Sequence, residues 1–140
     1  MNIRFANKNE IENWNNLILK NPDGGNIFQS REMIEFKRKS GWKPRFLVVE
    51  NFHKKQFLAI SVQEKSVFGL GKLWYLPKGA GISASEDLRK LCPALADFAR
   101  SQGVFAVKME SEILKNAENL KILRDLNLEH LHYFIPQVVD

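Results

Sequence analysis

Hydrophobic and polar positions alternate most cleanly between residues 56 and 64. Phe57, Ala59, Ser61 and Gln63 fall on one side and Leu58, Ile60 and Val62 on the other, the period of two that a pleated strand imposes. Arg45 to Glu50, around Phe46-Leu47-Val48-Val49, predicts a strand before it, and Lys72 to Leu76 predicts one after it. The polar stretch 51–55 and the loop through Ser66 and Gly69 are short links, so an antiparallel meander is expected. Phe68-Gly69-Leu70-Gly71-Lys72 lacks the spacing of a phosphate-binding loop and precedes a strand, which predicts a hairpin turn.

Elsewhere the period is helical. Ile11, Trp14, Leu17 and Ile18 share one face of a helix expected over 8–20, and Asn21-Pro22-Asp23-Gly24-Gly25 breaks the chain after it. Ser30 suits the N-cap of a second helix, Arg31 to about Ser40, with Met33, Ile34 and Phe36 inward and Gly41 ending it. Leu88, Leu91, Cys92, Leu95 and Phe98 stripe a long helix from about Ser85 to Ser101, closed by Gly103. Val104 to Met109 is a continuous apolar run, expected as a central strand. A shorter helix over 117–127 follows, with Leu120, Leu123 and Leu126 inward, and residues 133–139 suit a last strand or a linker. Two helices, a meander and then a β-α-β crossover imply an α/β (α+β) fold: one domain over residues 1–140, a mixed sheet with helices on both faces.

The junction between the third strand and the long helix is the stretch with chemical promise. Pro77 cannot donate to a sheet ladder, and Gly79 and Gly81 tolerate backbone angles closed to side chains. Ser83-x-x-Glu86 has capping-box spacing. A strand, a glycine turn and a helix N-terminus would present free N–H groups to an anion, with Lys78 alongside. The same features also describe an ordinary strand-to-helix turn.

Composition narrows the field modestly. The chain has 140 residues, 44% of them hydrophobic, a formal charge of +5 and a pI of about 9.4. That suits one ordinary globular domain with a lean towards anionic partners such as nucleic acid, phosphorylated substrates or an anionic membrane surface. A single cysteine, Cys92, sits on an apolar stripe and reads as a core residue; with no second cysteine to pair with, it fits a reducing, cytoplasmic setting. No apolar run approaches a transmembrane span, and Met1-Asn2-Ile3-Arg4-Phe5 lacks a signal-peptide core. His53, His130 and His132 are not framed by carboxylates, so no metal site is expected. No nucleophile-elbow motif supports a catalytic triad.

Several phrases in order carry a resemblance: Gly25-Asn26-Ile27-Phe28-Gln29-Ser30, Lys37, Gly41-Trp42, Trp74-Tyr75-Leu76-Pro77-Lys78-Gly79, Leu95 to Gly103, and Val107-Lys108-Met109-Glu110. From about Trp14 to Leu126 this set resembles the first domain of the Fem-type (FemABX) peptidoglycan bridge aminoacyltransferases. The resemblance implies a GNAT-like fold, normally two such domains in a longer chain, so residues 1–140 would be its N-terminal half. It implies transfer of an amino acid from aminoacyl-tRNA to the stem peptide of a UDP- or lipid-linked muropeptide in the cytoplasm, without metal or acetyl-CoA. Peripheral contact with a membrane is compatible with it. It also implies that Lys37 contacts the precursor's diphosphate and that the Lys78-Gly79 turn lines the muropeptide cleft. Lys37, Trp42, Tyr75, Lys78, Gly79, Gly81 and Ser83 are therefore the candidate substrate-binding residues, and no catalytic base is assigned. Two departures stand out: Ala80 occupies the position of the family's usual proline, and Ser83 lies near its acidic position. Glu110, at a strand end, is either a site residue or a solvated terminus. The alternatives are a non-catalytic GNAT-like binding module and an acetyl-CoA-dependent N-acetyltransferase.

Overall fold

The structure, a computed structural model, describes residues 1–53, 56–111, 113 and 116–126. Strand β1 (Asn2–Phe5) leads into two short helices, α1 (Lys8–Glu12) and α2 (Trp14–Ile18). Helix α3 (Arg31–Phe36) tightens into a 3-10 turn over Lys37–Ser40, which Gly41 ends in the left-handed conformation. The meander follows as β2 (Lys43–His53), β3 (Gln56–Val67) and β4 (Gly71–Leu76). Helix α4 (Asp87–Ser101) then crosses to β5 (Val104–Met109), and α5 (Ala117–Asp125) comes last. The sheet order is β1-β2-β3-β4-β5; β4 and β5 are parallel and the other pairs antiparallel.

The alternation read from the sequence sorts the strand residues onto two covered faces. Leu47, Val49, Leu58, Ile60, Val62, Trp74 and Leu76 point at α4 and pack on its Leu88, Leu91, Leu95 and Ala99. Phe46, Val48 and Ala59 point the other way, onto Trp14, Leu17, Ile18 and Ile34. Helices therefore cover both faces of a mixed sheet, the expected fold class. Cys92 packs against the α4-side core, where burial pushes its thiol up to about 11, as a core residue rather than a nucleophile.

Four expectations are corrected. The first four-residue strand, β1, is not apparent in the sequence; it adds to the edge of β2, and Arg4 anchors it by binding Glu50 at 2.6 Å and Glu10 at 2.8 Å. The helix expected over 8–20 breaks at Asn13, within a run of asparagines that favour caps over helix interiors. Its start carries a capping box, Asn7 with Glu10. The box expected at Ser83 and Glu86 does not form: α4 starts at Asp87, with no side-chain cap bond from Glu86. Asp87 is instead committed to His53, 3.0 Å away across the core's edge. Finally, β5 is the last strand of the sheet among the described residues, not a central one, and only Val104 in it is fully covered. His130, His132 and the segment 133–139 lie outside the described residues.

Candidate functional site

The site region begins where β3 and β4 part. Their pairing runs from Val67↔Gly71 to Gln63↔Tyr75 and stops. Beyond that point two buried side-chain amides take over the free edge of β3. Asn21 accepts from the Ala59 N–H at 2.9 Å and donates to its carbonyl at 2.8 Å. Gln29 accepts from the Ser61 N–H at 2.7 Å and donates to the Pro77 carbonyl at 2.5 Å. Ser61 in turn donates to the Gln29 carbonyl and accepts from the Trp14 indole at 2.7 Å. Every strand group these residues meet is thereby satisfied, as burial demands. The network also ties the bend after β4 to the first helices.

That bend is tightly packed. Lys78, Gly79 and Gly81 all have positive φ (57°, 92° and 75°). A Cβ on Gly81 would lie 2.2 Å from the Asn21 amide nitrogen, and one on Gly79 would lie 3.2 Å from the Glu110 carbonyl. The Gly79 N–H turns back on the Leu76 carbonyl, and the Gly81 carbonyl accepts from Asp23. Because α4 does not start until Asp87, the bend is not a helix N-terminus; that part of the anion-binding expectation is corrected. The glycines are required by close approach of neighbouring chain.

Two hollows flank the bend. The larger, about 360 Å³, lies on the α3 side and is lined by Phe28, Met33, Lys37, Trp42, Gln63, Tyr75 and Pro77. The smaller, about 260 Å³, is lined by Asp23, Lys78, Gly79, Ser83 and Ser111 among others. Lys37, Trp42 and Tyr75 thus share one cleft, Lys78, Gly79 and Ser83 share the other, and Gly81 lines neither.

Charge and ring faces converge on the larger cleft. Lys37 leaves α3 at its C-terminus and forms no ion pair with the described residues. Trp42 and Tyr75 sit 6.2 Å apart, with Lys65 over the indole and Lys108 over the phenol, each at 5.4 Å. Such contacts hold the ammonium groups beside the aromatic wall. Tyr75 is partly buried and hydrogen-bonded to the Glu110 carboxylate; both effects push its phenol well above the usual value and keep it a neutral donor. Gln63, Lys65 and Lys108 were not singled out by sequence reasoning. The signal was present for two of them, since Gln63 and Lys65 continue the Ala59, Ser61 alternation onto this face. Lys108 comes beside Tyr75 only through the β4–β5 register. Among the described residues no three His, Cys, Asp or Glu side chains gather as a metal site. Among the same residues, no helix is long and apolar enough to cross a membrane.

Comparison with known proteins defines the class first. A crystal structure of a probable acetyltransferase superposes over 96% of this chain and 93% of its own, with a TM-score of 0.54 and 12% identity. The fold is accordingly GNAT-like. A crystal structure of FemX superposes over 93% of this chain with a TM-score of 0.65 and 20% identity, and the chain spans 32% of that protein's length. No curated protein sequence matches the chain. The sequence pattern of the FemAB family matches residues 8–130, and the chain belongs to that family.

Proposed function

We propose that this chain is the precursor-holding domain of an aminoacyltransferase. The enzyme passes an amino acid from aminoacyl-tRNA to the stem-peptide amine of a UDP- or lipid-linked muropeptide in the cytoplasm. A second GNAT-like domain, in a longer chain, would complete it. Membership of the FemAB family supports the reaction class. The observation that carries the assignment to this cleft is Lys37, an exposed ammonium without a carboxylate partner among the described residues, beside the Trp42–Tyr75 wall. An unpaired lysine next to ring faces suits a diphosphate joined to planar and sugar moieties. In the reaction the amine nitrogen attacks the ester carbonyl, the bond to the ribose oxygen breaks, and the amine's proton ends on that hydroxyl. Alignment of amine and ester supplies most of the acceleration, so no catalytic base is assigned.

The test is calorimetric titration of a UDP-muropeptide into the chain at low salt. Saturable binding is expected, weakened about tenfold by Lys37→Ala, the worth of one charge-assisted contact. Absence of saturable binding overturns the reading. The likeness to a probable acetyltransferase over nearly the whole chain favours one competitor, acetyl-CoA-dependent transfer. The inward-turned Gly79 amide and the late start of α4 weigh against it. Thermal stabilisation of the chain by CoA, without muropeptide binding, would select that competitor.

A further inference from the structure

The end of the sheet opposite the Pro77 bend has an unusual surface. Lys43 pairs with Glu64, and Ser66 with Lys72, so the register brings segments 36–43 and 65–72 to the same pole. The β3–β4 hairpin projects there as a tight turn in which the Leu70 N–H bonds the Val67 carbonyl. Phe68 at its tip is fully exposed, Leu70 is 63% exposed, and Phe36 on the neighbouring segment, expected to face inward, is instead 61% exposed. Around them Arg38, Lys39, Lys43 and Lys65 are all exposed, with the Lys39 ammonium over the Phe36 ring at 5.7 Å. Residues 36–45 and 65–72 contain no carboxylate, and Glu64 is buried and bound to Arg45 and Trp74.

We infer that this pole docks on an anionic lipid surface, with Phe68 and Leu70 entering the headgroup–acyl boundary and the surrounding cations meeting lipid phosphates. Isolated apolar side chains on projecting segments cannot supply the roughly 800 Å² per partner of a stable protein interface. They can each sink separately into a bilayer, and flanking lysines add attraction to anionic headgroups. RNA would meet the same charge, but Leu70 has no ring face for a base to stack on. The inference does not depend on the ligand of the cleft.

Sedimentation of the full chain with vesicles tests it, using phosphatidylcholine alone and phosphatidylcholine with about one-third phosphatidylglycerol. Binding to the anionic vesicles is expected, falling as salt is raised. Phe68→Ser with Leu70→Ser should weaken partitioning about tenfold or more with an unchanged thermal melt, since both side chains are exposed. Lys39→Glu with Lys43→Glu should weaken it comparably and serves if the first variant folds poorly. No binding to anionic vesicles, or binding indifferent to both variants, overturns the inference. Tighter binding to unacylated tRNA that survives loss of Phe68 and Leu70 but is lost with Lys39→Glu and Lys43→Glu also overturns it, and assigns the pole to nucleic acid.

Discussion

Trp74 and Tyr75 are neighbours on β4, yet they belong to opposite kinds of surface. Trp74 faces α4, is fully buried, and donates its indole N–H to Glu64 at 2.8 Å. Tyr75 faces the α3 side, where the covering helices run out, and its ring walls an open cleft. On the α4 side a 15-residue helix spans the sheet. On the other side short helices cover Phe46, Val48 and Ala59 but leave Gln63 and Tyr75 at the margin. A sheet needs cover to be stable, and it can hold a ligand only where the cover stops. One face is closed by its helix, and the other leaves the room a ligand would need.

Truncating the covered face should have the largest effect. Trp74→Ala removes a fully buried indole and leaves the Glu64 carboxylate without one of its two donors, so a loss of about 3–5 kcal/mol is expected. Urea titration followed by circular dichroism measures it. A loss under about 1 kcal/mol would mean that the α4 face is not a packed core.

Acid should act next, through the same pair. Burial alone would raise the Glu64 carboxyl, but hydrogen bonds from Trp74 and Arg45 outweigh it and hold the group below its usual value near 4.5. A carboxyl depressed on folding contributes stability above its unfolded value and loses it as pH falls through its folded value. Glu10 and Glu50, both depressed mainly by hydrogen bonds from Arg4, titrate in the same direction. The contribution of Glu64 is therefore isolated by comparison with Glu64→Gln. The stability gap between wild type and variant, measured by urea titration, should be open at neutral pH and shrink below about pH 4.5. A gap that stays constant down to about pH 3 would place the acid sensitivity elsewhere, with Arg4 and its partners.

How far these faces could be read in advance depends on the reach of each signal. The alternation through Leu58, Ile60 and Val62, and the stripe through Leu88, Leu91 and Leu95, are local periodicities, and the core follows from them. The start of α4 was misread because Ser83 and Glu86 match a local cap pattern, while Asp87 answers to His53, 34 residues earlier. Strand β1 was missed because four residues carry little period, and Arg4 finds Glu50 only through the pairing of β1 with β2. In the cleft, Lys37, Trp42 and Tyr75 were legible through resemblance. The Lys65–Trp42 and Lys108–Tyr75 contacts were not, because register between strands decides them. The role of Gly81 was likewise hidden, since the Asn21 side chain that demands a glycine lies 60 residues away in sequence.

The smallest effect on stability should come from the open face, and it sharpens the comparison most. Tyr75→Phe keeps the ring, its packing on Trp42 and its contact with Lys108, and removes the hydroxyl bonded to Glu110. Loss of one hydrogen bond at a partly exposed rim should lower stability by only about 0.5–1.5 kcal/mol. If the cleft is the precursor site, the same variant should lose muropeptide affinity, because the phenol oxygen, its proton held by Glu110, still offers a lone pair to a ligand donor and phenylalanine offers none. Urea titration and calorimetry on one preparation separate the two readouts. A large stability loss with unchanged affinity would make Tyr75 a core residue like its neighbour, and the division of labour between the two faces would fail at the position where it is drawn.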